Sequence, residues 1–122
     1  MILLHRLMAL TLITAACGAQ AAPFPLPECS HTGNGTLYEV GPGQSHTSIG
    51  AVPWESLAAG DTVRIHWRAE PYREKILLRR QGTTEQPIVM CGVRGPGGER
   101  PVLDGENATT RTTMGYRPAS GD

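Results

Sequence analysis

The densest group of side chains able to do chemistry lies between Arg64 and Arg80. Arg64, Arg68, Arg73, Lys75, Arg79 and Arg80 stand there against Glu70 and Glu74, six bases to two acids. A guanidinium binds a carboxylate or sulfate through paired N–H donors held in a fixed fork. A row of them therefore suits a uronate or sulfated polymer, and Arg64, Arg68, Arg73 and Lys75 are the candidate substrate-binding residues. The competing reading, which we favour, is a solvated outer face whose charges keep strand edges from pairing with other chains. Arg64 alternates with Val63 and Ile65, as an outward side chain on a strand does.

Other candidates are weaker. Histidine titrates near neutrality and so serves as a general acid or base. Neither His46 nor His66 has a partner recognisable from sequence, and His66 falls out of phase with Ile65 and Trp67, so both read as surface residues. Asp104, Glu106 and Asn107 offer oxygen ligands of the kind Ca²⁺ takes, but Asp-Gly more often marks a turn. Gly95-Pro96-Gly97-Gly98 lacks the lysine of a phosphate loop. No metal site and no catalytic residue is assigned.

Cys29 and Cys91 can bridge in an oxidising compartment, or can remain two separate thiols. A bond closing that loop would stabilise the fold by about 4 kcal/mol in the chain-entropy view. Metal binding is disfavoured, since no second Cys or His sits at ligand spacing.

The start of the chain bears on the compartment. Met1 to Arg6 is charged, Leu7 to Ala16 is apolar, and Ala19-Gln20-Ala21 is a small-x-small cleavage pattern. That is the layout of a secretory signal over residues 1–21, with periplasmic or secreted location. The apolar run is shorter than the roughly 20 residues a membrane span needs. The alternative is a lipoprotein anchored through Cys17, although Thr14 stands where an aliphatic is usual. The chain of 122 residues has 11 acidic and 11 basic residues, so no global field points to nucleic acid or membrane. Oligomeric state is not legible.

The elements that must position these groups are short. With 15 Gly and 10 Pro, the composition suits turn-rich β structure. Residues 22–35 form an extended lead-in, and Thr36 to Val40 a first strand ended by Gly41-Pro42-Gly43. Pro53 to Ala58 fits a short helix with Pro in its first turn. Strands follow at Thr62–Trp67, Glu74–Arg79, Gln86–Val93 and Arg100–Asp104, with Val63, Ile65, Trp67, Ile76, Leu78, Ile88, Val102 and Leu103 inward. Val63 precedes Ile88 by 25 residues, and Ile76 precedes Val102 by 26. A repeat of that length, built of short strands and turns, is what a β-solenoid gives, each strand lying parallel on its counterpart one coil back. An antiparallel meander is the alternative, and the period favours the solenoid.

"LYEVGPGQSHTSI", "SLAAGDTVRIHW", "PYREKILLRRQGTTEQPIVMCGV" and "PVLDGEN" occur in that order. Together they resemble the N-terminal end of secreted right-handed parallel β-helix (pectin lyase-like) proteins, among them polysaccharide lyases of the chondroitinase B and alginate lyase type. The resemblance covers Leu37 to Asn107. It implies an all-β fold: an N-terminal capping strand and short helix, then about two β-helix coils over residues 36–107, and an irregular tail over 108–122. It implies β-elimination in an anionic polysaccharide for a full-length form, with Ca²⁺-binding carboxylates several coils further on. Nothing here matches those catalytic motifs, so the chain is expected to be the N-terminal part of a longer protein, without a cofactor or lyase activity by itself. A non-enzymatic, adhesin-like β-helix scaffold is the second expectation.

Overall fold

Parallel strands cannot be joined by a tight hairpin, because the chain must return to the same end of the sheet before the next strand begins. The computed structural model describes residues 28–110, and the strands within it follow that constraint. β1 is Leu37–Val40, β2 is Thr62–His66 and β3 is Val89–Val93. They form one open sheet in the order β1-β2-β3, every neighbour parallel. Leu37 lies opposite Thr62, and Thr62 opposite Val89, so the chain advances 25 and then 27 residues between neighbours. Regular structure is mostly strand. The signal segment 1–21, Cys17 and the end of the tail lie outside the described residues.

The second step differs from the expected 25. Met90, not Ile88, faces Val63. A slip of two residues keeps every side chain on its own face, so the inward phase survives. Val63 and Ile65 are buried, and Ile88 packs against the core at its edge.

The expected helix at Pro53–Ala58 is replaced by two 3₁₀ turns, Ile49–Ala51 and Trp54–Ser56. Gly50 and Pro53 punctuate the segment, and 3₁₀ geometry suits such short pieces. These turns set Ile49, Val52, Trp54 and Leu57 against Val40, Val63, Ile65 and Tyr72 to make the core. Each such burial stabilises by roughly 1.5–3 kcal/mol. The Trp54 indole N–H donates to Ile49 O at 2.8 Å, which satisfies its one polar atom inside that core.

Two expected strands do not form. In place of Glu74–Arg79 and Arg100–Asp104 there are isolated parallel bridges, Tyr72 with Leu103 and Glu74 with Thr109. The buried residue of this region is Tyr72, and the same phase leaves the core further along: Ile76 is half-buried and Leu78 is 59% exposed. Trp67 is half-buried. Val102 and Leu103, expected inward, are 54% and 46% exposed, because no described element packs on their far side. Pairing continues past Asn107: Thr109 N–H donates to Arg73 O and Lys75 N–H to Thr109 O. The segment expected to be irregular therefore opens with a paired residue.

The turn into β2 is built on Gly60 and Asp61. Gly60 has φ 84°, and a Cβ there would meet Gly35 N at 2.9 Å, so glycine is required twice over. Asp61 is buried, and its carboxylate accepts Thr36 N–H at 2.7 Å and Ala58 N–H at 2.8 Å. Cys29 and Cys91 are joined by a disulfide, Cα atoms 5.5 Å apart and 62 residues apart in sequence, which ties the lead-in to β3.

Two stability predictions follow from these ties. Asp61→Ala strands two backbone donors and should lower unfolding free energy by about 2–4 kcal/mol. Equilibrium urea unfolding measures it, and a change below about 0.5 kcal/mol would mean that solvent replaces the carboxylate. Replacing both Cys29 and Cys91 with serine should remove about 3–4 kcal/mol, the closure entropy of that loop. An unchanged urea midpoint would show that the bond constrains nothing the chain does not already hold.

Candidate functional site

β1 and β2 place three polar side chains together on the outward face. Glu39 sits opposite Arg64 in the register, and His66 follows two residues on. Arg64 Nη1 lies 2.8 Å from Glu39 Oε1, and His66 Nε2 lies 2.6 Å from Oε2. The sequence reading found no partner for His66; the structure supplies Glu39. A carboxylate that orients an imidazole is a common arrangement in acid–base chemistry. Here both carboxylate oxygens are engaged, and the three side chains are about a quarter exposed. His46 contacts Ser45 Oγ at 3.1 Å and meets the Tyr38 ring edge-on, 5.6 Å between centroids.

The other candidate bases lie beyond β2. Arg68 and Arg73 line a groove of about 560 Å³ with Glu74, Ser48 and the first 3₁₀ turn. Arg68 is fixed by its own loop: Nε donates to Glu70 O at 2.9 Å and Nη2 to Pro71 O at 3.0 Å. Its guanidinium stacks over the Tyr72 ring, 3.8 Å from the centroid. Arg73 pairs with Asp104 at 3.0 Å and more loosely with Glu106 at 3.6 Å. Glu74 accepts Gly50 N–H and so holds the 3₁₀ turn. Lys75 lies outside this groove, beside Ile76 and Asp104. Of the four candidate substrate-binding residues, Arg68 and Arg73 share a groove, Lys75 stands next to it, and Arg64 belongs to the sheet face.

The oxygen cluster at Asp104 is structural. Asp104 Oδ1 accepts Glu106 N–H at 2.9 Å, the pattern of an Asx turn, and Arg73 neutralises both carboxylates. Among the described residues no group of three or more His, Cys, Asp or Glu side chains is placed to hold a metal. No described helix is long and apolar enough to cross a membrane.

Tyr72 was not singled out from sequence. It is 1% exposed, and its hydroxyl donates to His66 O at 2.7 Å, joining the groove to the end of β2. Burial pushes the phenol above its ordinary value, Arg68 opposes that shift, and Glu74 adds to it. The only sequence signal was its phase, two residues before Glu74 and four before Ile76.

No family model, curated protein or solved structure matches this chain.

A phenol raised in the folded state is ionised more readily when unfolded. Its contribution to stability is therefore complete below pH 10.0, the ordinary value, and is lost as pH rises through the higher folded value. Tyr72→Phe removes that dependence. The variant should lose about 1 kcal/mol at neutral pH, from the bond to His66 O, and should show a flatter fall in stability above pH 10. Equal alkaline slopes for the two proteins in urea unfolding would contradict this account.

Proposed function

We propose that this chain is the N-terminal cap and first coils of an exported right-handed parallel β-helix protein that binds or acts on anionic polysaccharide. The observation that carries the reading is the register. Three parallel strands stack at steps of 25 and 27 residues with the inward phase preserved, and two isolated bridges, Tyr72 to Leu103 and Glu74 to Thr109, are parallel as well. Parallel strands laid side by side at such near-equal steps are the pattern of coils laid on coils. The Cys29–Cys91 disulfide is compatible with export to an oxidising compartment after loss of residues 1–21.

Arg68 and Arg73 would be the polysaccharide contacts. Arg68 is held rigid by its backbone bonds and its stacking on Tyr72, so little side-chain entropy opposes binding there. In this reading a full-length form would be a polysaccharide lyase, with Ca²⁺ ligands and acid–base residues on coils beyond these. The scaffold reading, a surface or adhesin-like β-helix without catalysis, has one observation in its favour. Arg64 and Arg73 already carry internal carboxylate partners, which reduces the positive field left for a polymer.

The test uses purified protein and three polymers: alginate, chondroitin sulfate and uncharged dextran. The expected result is retardation by the two anionic polymers, weakening as salt rises, with no unsaturated product in the ultraviolet. Arg68→Gln with Arg73→Gln should weaken retention by about tenfold. Equal behaviour on dextran, or none on either anionic polymer at low salt, would end the polysaccharide reading. Product formation would transfer the catalytic role to this chain itself.

A further inference from the structure

The lead-in is held against the start of the sheet by a series of ties. Cys29 is bonded to Cys91, and His31 Nδ1 lies 2.9 Å from Thr62 Oγ1. Asn34 N–H donates to Gln86 Oε1 at 3.0 Å, Gly35 N–H to Gly60 O at 3.2 Å, and Thr36 N–H to Asp61 Oδ1 at 2.7 Å. Gly35 approaches the Gly60 turn so closely that a Cβ on it would meet Asp61 N at 2.5 Å. Docking therefore demands glycine at 35, and so puts glycine directly after Asn34, an exposed residue.

That neighbour has a chemical consequence. The backbone nitrogen after an asparagine can attack the side-chain amide carbon, and a Cβ on the following residue hinders the approach. Glycine has no Cβ and leaves the backbone free to reach the geometry. Of the two asparagines in the chain, Asn34 precedes glycine and Asn107 precedes alanine, so Asn34 is the more reactive when unrestrained. In the folded chain the attacking atom, Gly35 N, is the one whose hydrogen is donated to Gly60 O, and the bonds of Asn34 and Thr36 hold the backbone on either side. The reaction needs loss of that hydrogen and a swing of the nitrogen toward Asn34 Cγ. Both require the segment to lift from the Gly60 turn. The folded rate is then the rate of the free segment multiplied by the fraction of time it is lifted. The Cys29–Cys91 bond, five residues upstream, limits that fraction.

We propose that Asn34 is a self-modification site, controlled by docking of the lead-in and hence by the disulfide. When the segment lifts, Gly35 N loses its proton and bonds to Asn34 Cγ, the Cγ–Nδ2 bond breaks, and ammonia leaves a succinimide behind. Water, the one co-reactant, then opens the ring. Attack at the Cγ carbonyl gives aspartate with an ordinary backbone. Attack at the α-carbonyl gives isoaspartate, whose main chain runs through Cβ and is one methylene longer. The aspartate form docks again, because its backbone is unchanged. The isoaspartate form does not, because the contact of Gly35 with the Gly60 turn leaves no slack for the added length. Asp61 then loses the Thr36 donor, and a reversible lift has become a permanent release. The site does not depend on the polysaccharide reading.

The purified protein is incubated at mildly alkaline pH in three states: disulfide intact, disulfide reduced, and unfolded in urea. Peptide mapping by mass spectrometry follows conversion of Asn34, with Asn107 as the internal reference. Conversion in the intact folded protein should be slower than in urea by at least about tenfold, and reduction should speed it by at least about threefold. Gln86→Ala removes the acceptor of Asn34 N–H with the disulfide in place, and should also speed conversion. Unchanged amide protection in β2 verifies that the variant is folded, and its rate decides the matter if reduction unfolds the whole chain. Once the products are separated, the Gly35 and Thr36 amide hydrogens should exchange faster in the isoaspartate form and at the original rate in the aspartate form. Equal conversion in the intact folded and urea-unfolded protein overturns the proposal. So does a folded rate that neither reduction nor Gln86→Ala changes, or an isoaspartate form that keeps its Gly35 and Thr36 protection.

Discussion

Asp61 accepts the N–H groups of Thr36 and Ala58 on its two carboxylate oxygens, and its carbonyl accepts Val89 N–H at 2.9 Å. Its own N–H returns to Ala58 O at 3.1 Å. One residue thereby touches the approach to β1, the end of the 3₁₀ segment, the start of β2 and the start of β3. Parallel strands need such a tie, because each must be brought alongside its neighbour across a long loop whose closure costs entropy before any pairing is gained. The turn that delivers Asp61 depends in turn on Gly60, whose positive φ and close approach to Gly35 exclude a side chain. Gly60-Asp61 is therefore more than a loop marker. It is where the three stages of the chain are brought into register.

Much of this could be read from the residues, and the limits are physical. The alternation Val63-Ile65 marked a strand and its inward face, and the 25-residue spacing predicted that Thr62–Trp67 would lie parallel to the strand expected at Gln86–Val93; the two are found as parallel neighbours, at Thr62–His66 and Val89–Val93. The exact step was not legible, because a two-residue slip leaves the phase unchanged and so leaves no trace in the hydrophobic pattern. The region from Glu74 to Asp104 was overread for a different reason. Ile76, Leu78, Val102 and Leu103 have apolar side chains, but burial depends on what packs above them: Ile76 only rests against the core, Leu78, Val102 and Leu103 are exposed, and the fully buried residue is Tyr72, just before this region. Glu39 was invisible as a partner of His66 because its role comes from facing β2, a relation that exists only once the 25-residue register is set.

Charge shows the same dependence on register. Taken as a linear stretch, Arg64 to Arg80 is a basic ribbon suited to a polyanion. Folded, its members separate by phase and by loop. Arg64 is neutralised by Glu39 across the sheet, Arg73 by Asp104 across the Tyr72–Leu103 bridge, and Arg80 Nε donates to Leu57 O at 2.9 Å and closes over the 3₁₀ segment. Partly exposed pairs of this kind contribute little stability singly, about 0–1 kcal/mol. Their greater effect is to hold neighbouring turns of chain in one alignment and to reduce the net field. In the groove, Arg68 is held by backbone carbonyls and the Tyr72 ring rather than by a carboxylate.

The two ends of the sheet differ in how they are held. Beside β1 the chain covers itself: His46 bridges to Val40, and Ile49, Val52, Trp54 and Leu57 close the inward face. Along the inward phase burial then falls from Val63, which is fully buried, to Met90 opposite it, which is 42% exposed. Among the described residues, Val63 has a neighbouring strand on each side and Met90 has one. β3 is therefore the strand for which packing supplies least. It is also the strand that carries Cys91, bonded to Cys29 in the lead-in. The covalent tie acts where the apolar contacts are fewest. By restricting the unfolded chain rather than adding a contact, it can hold β3 in register without covering the edge.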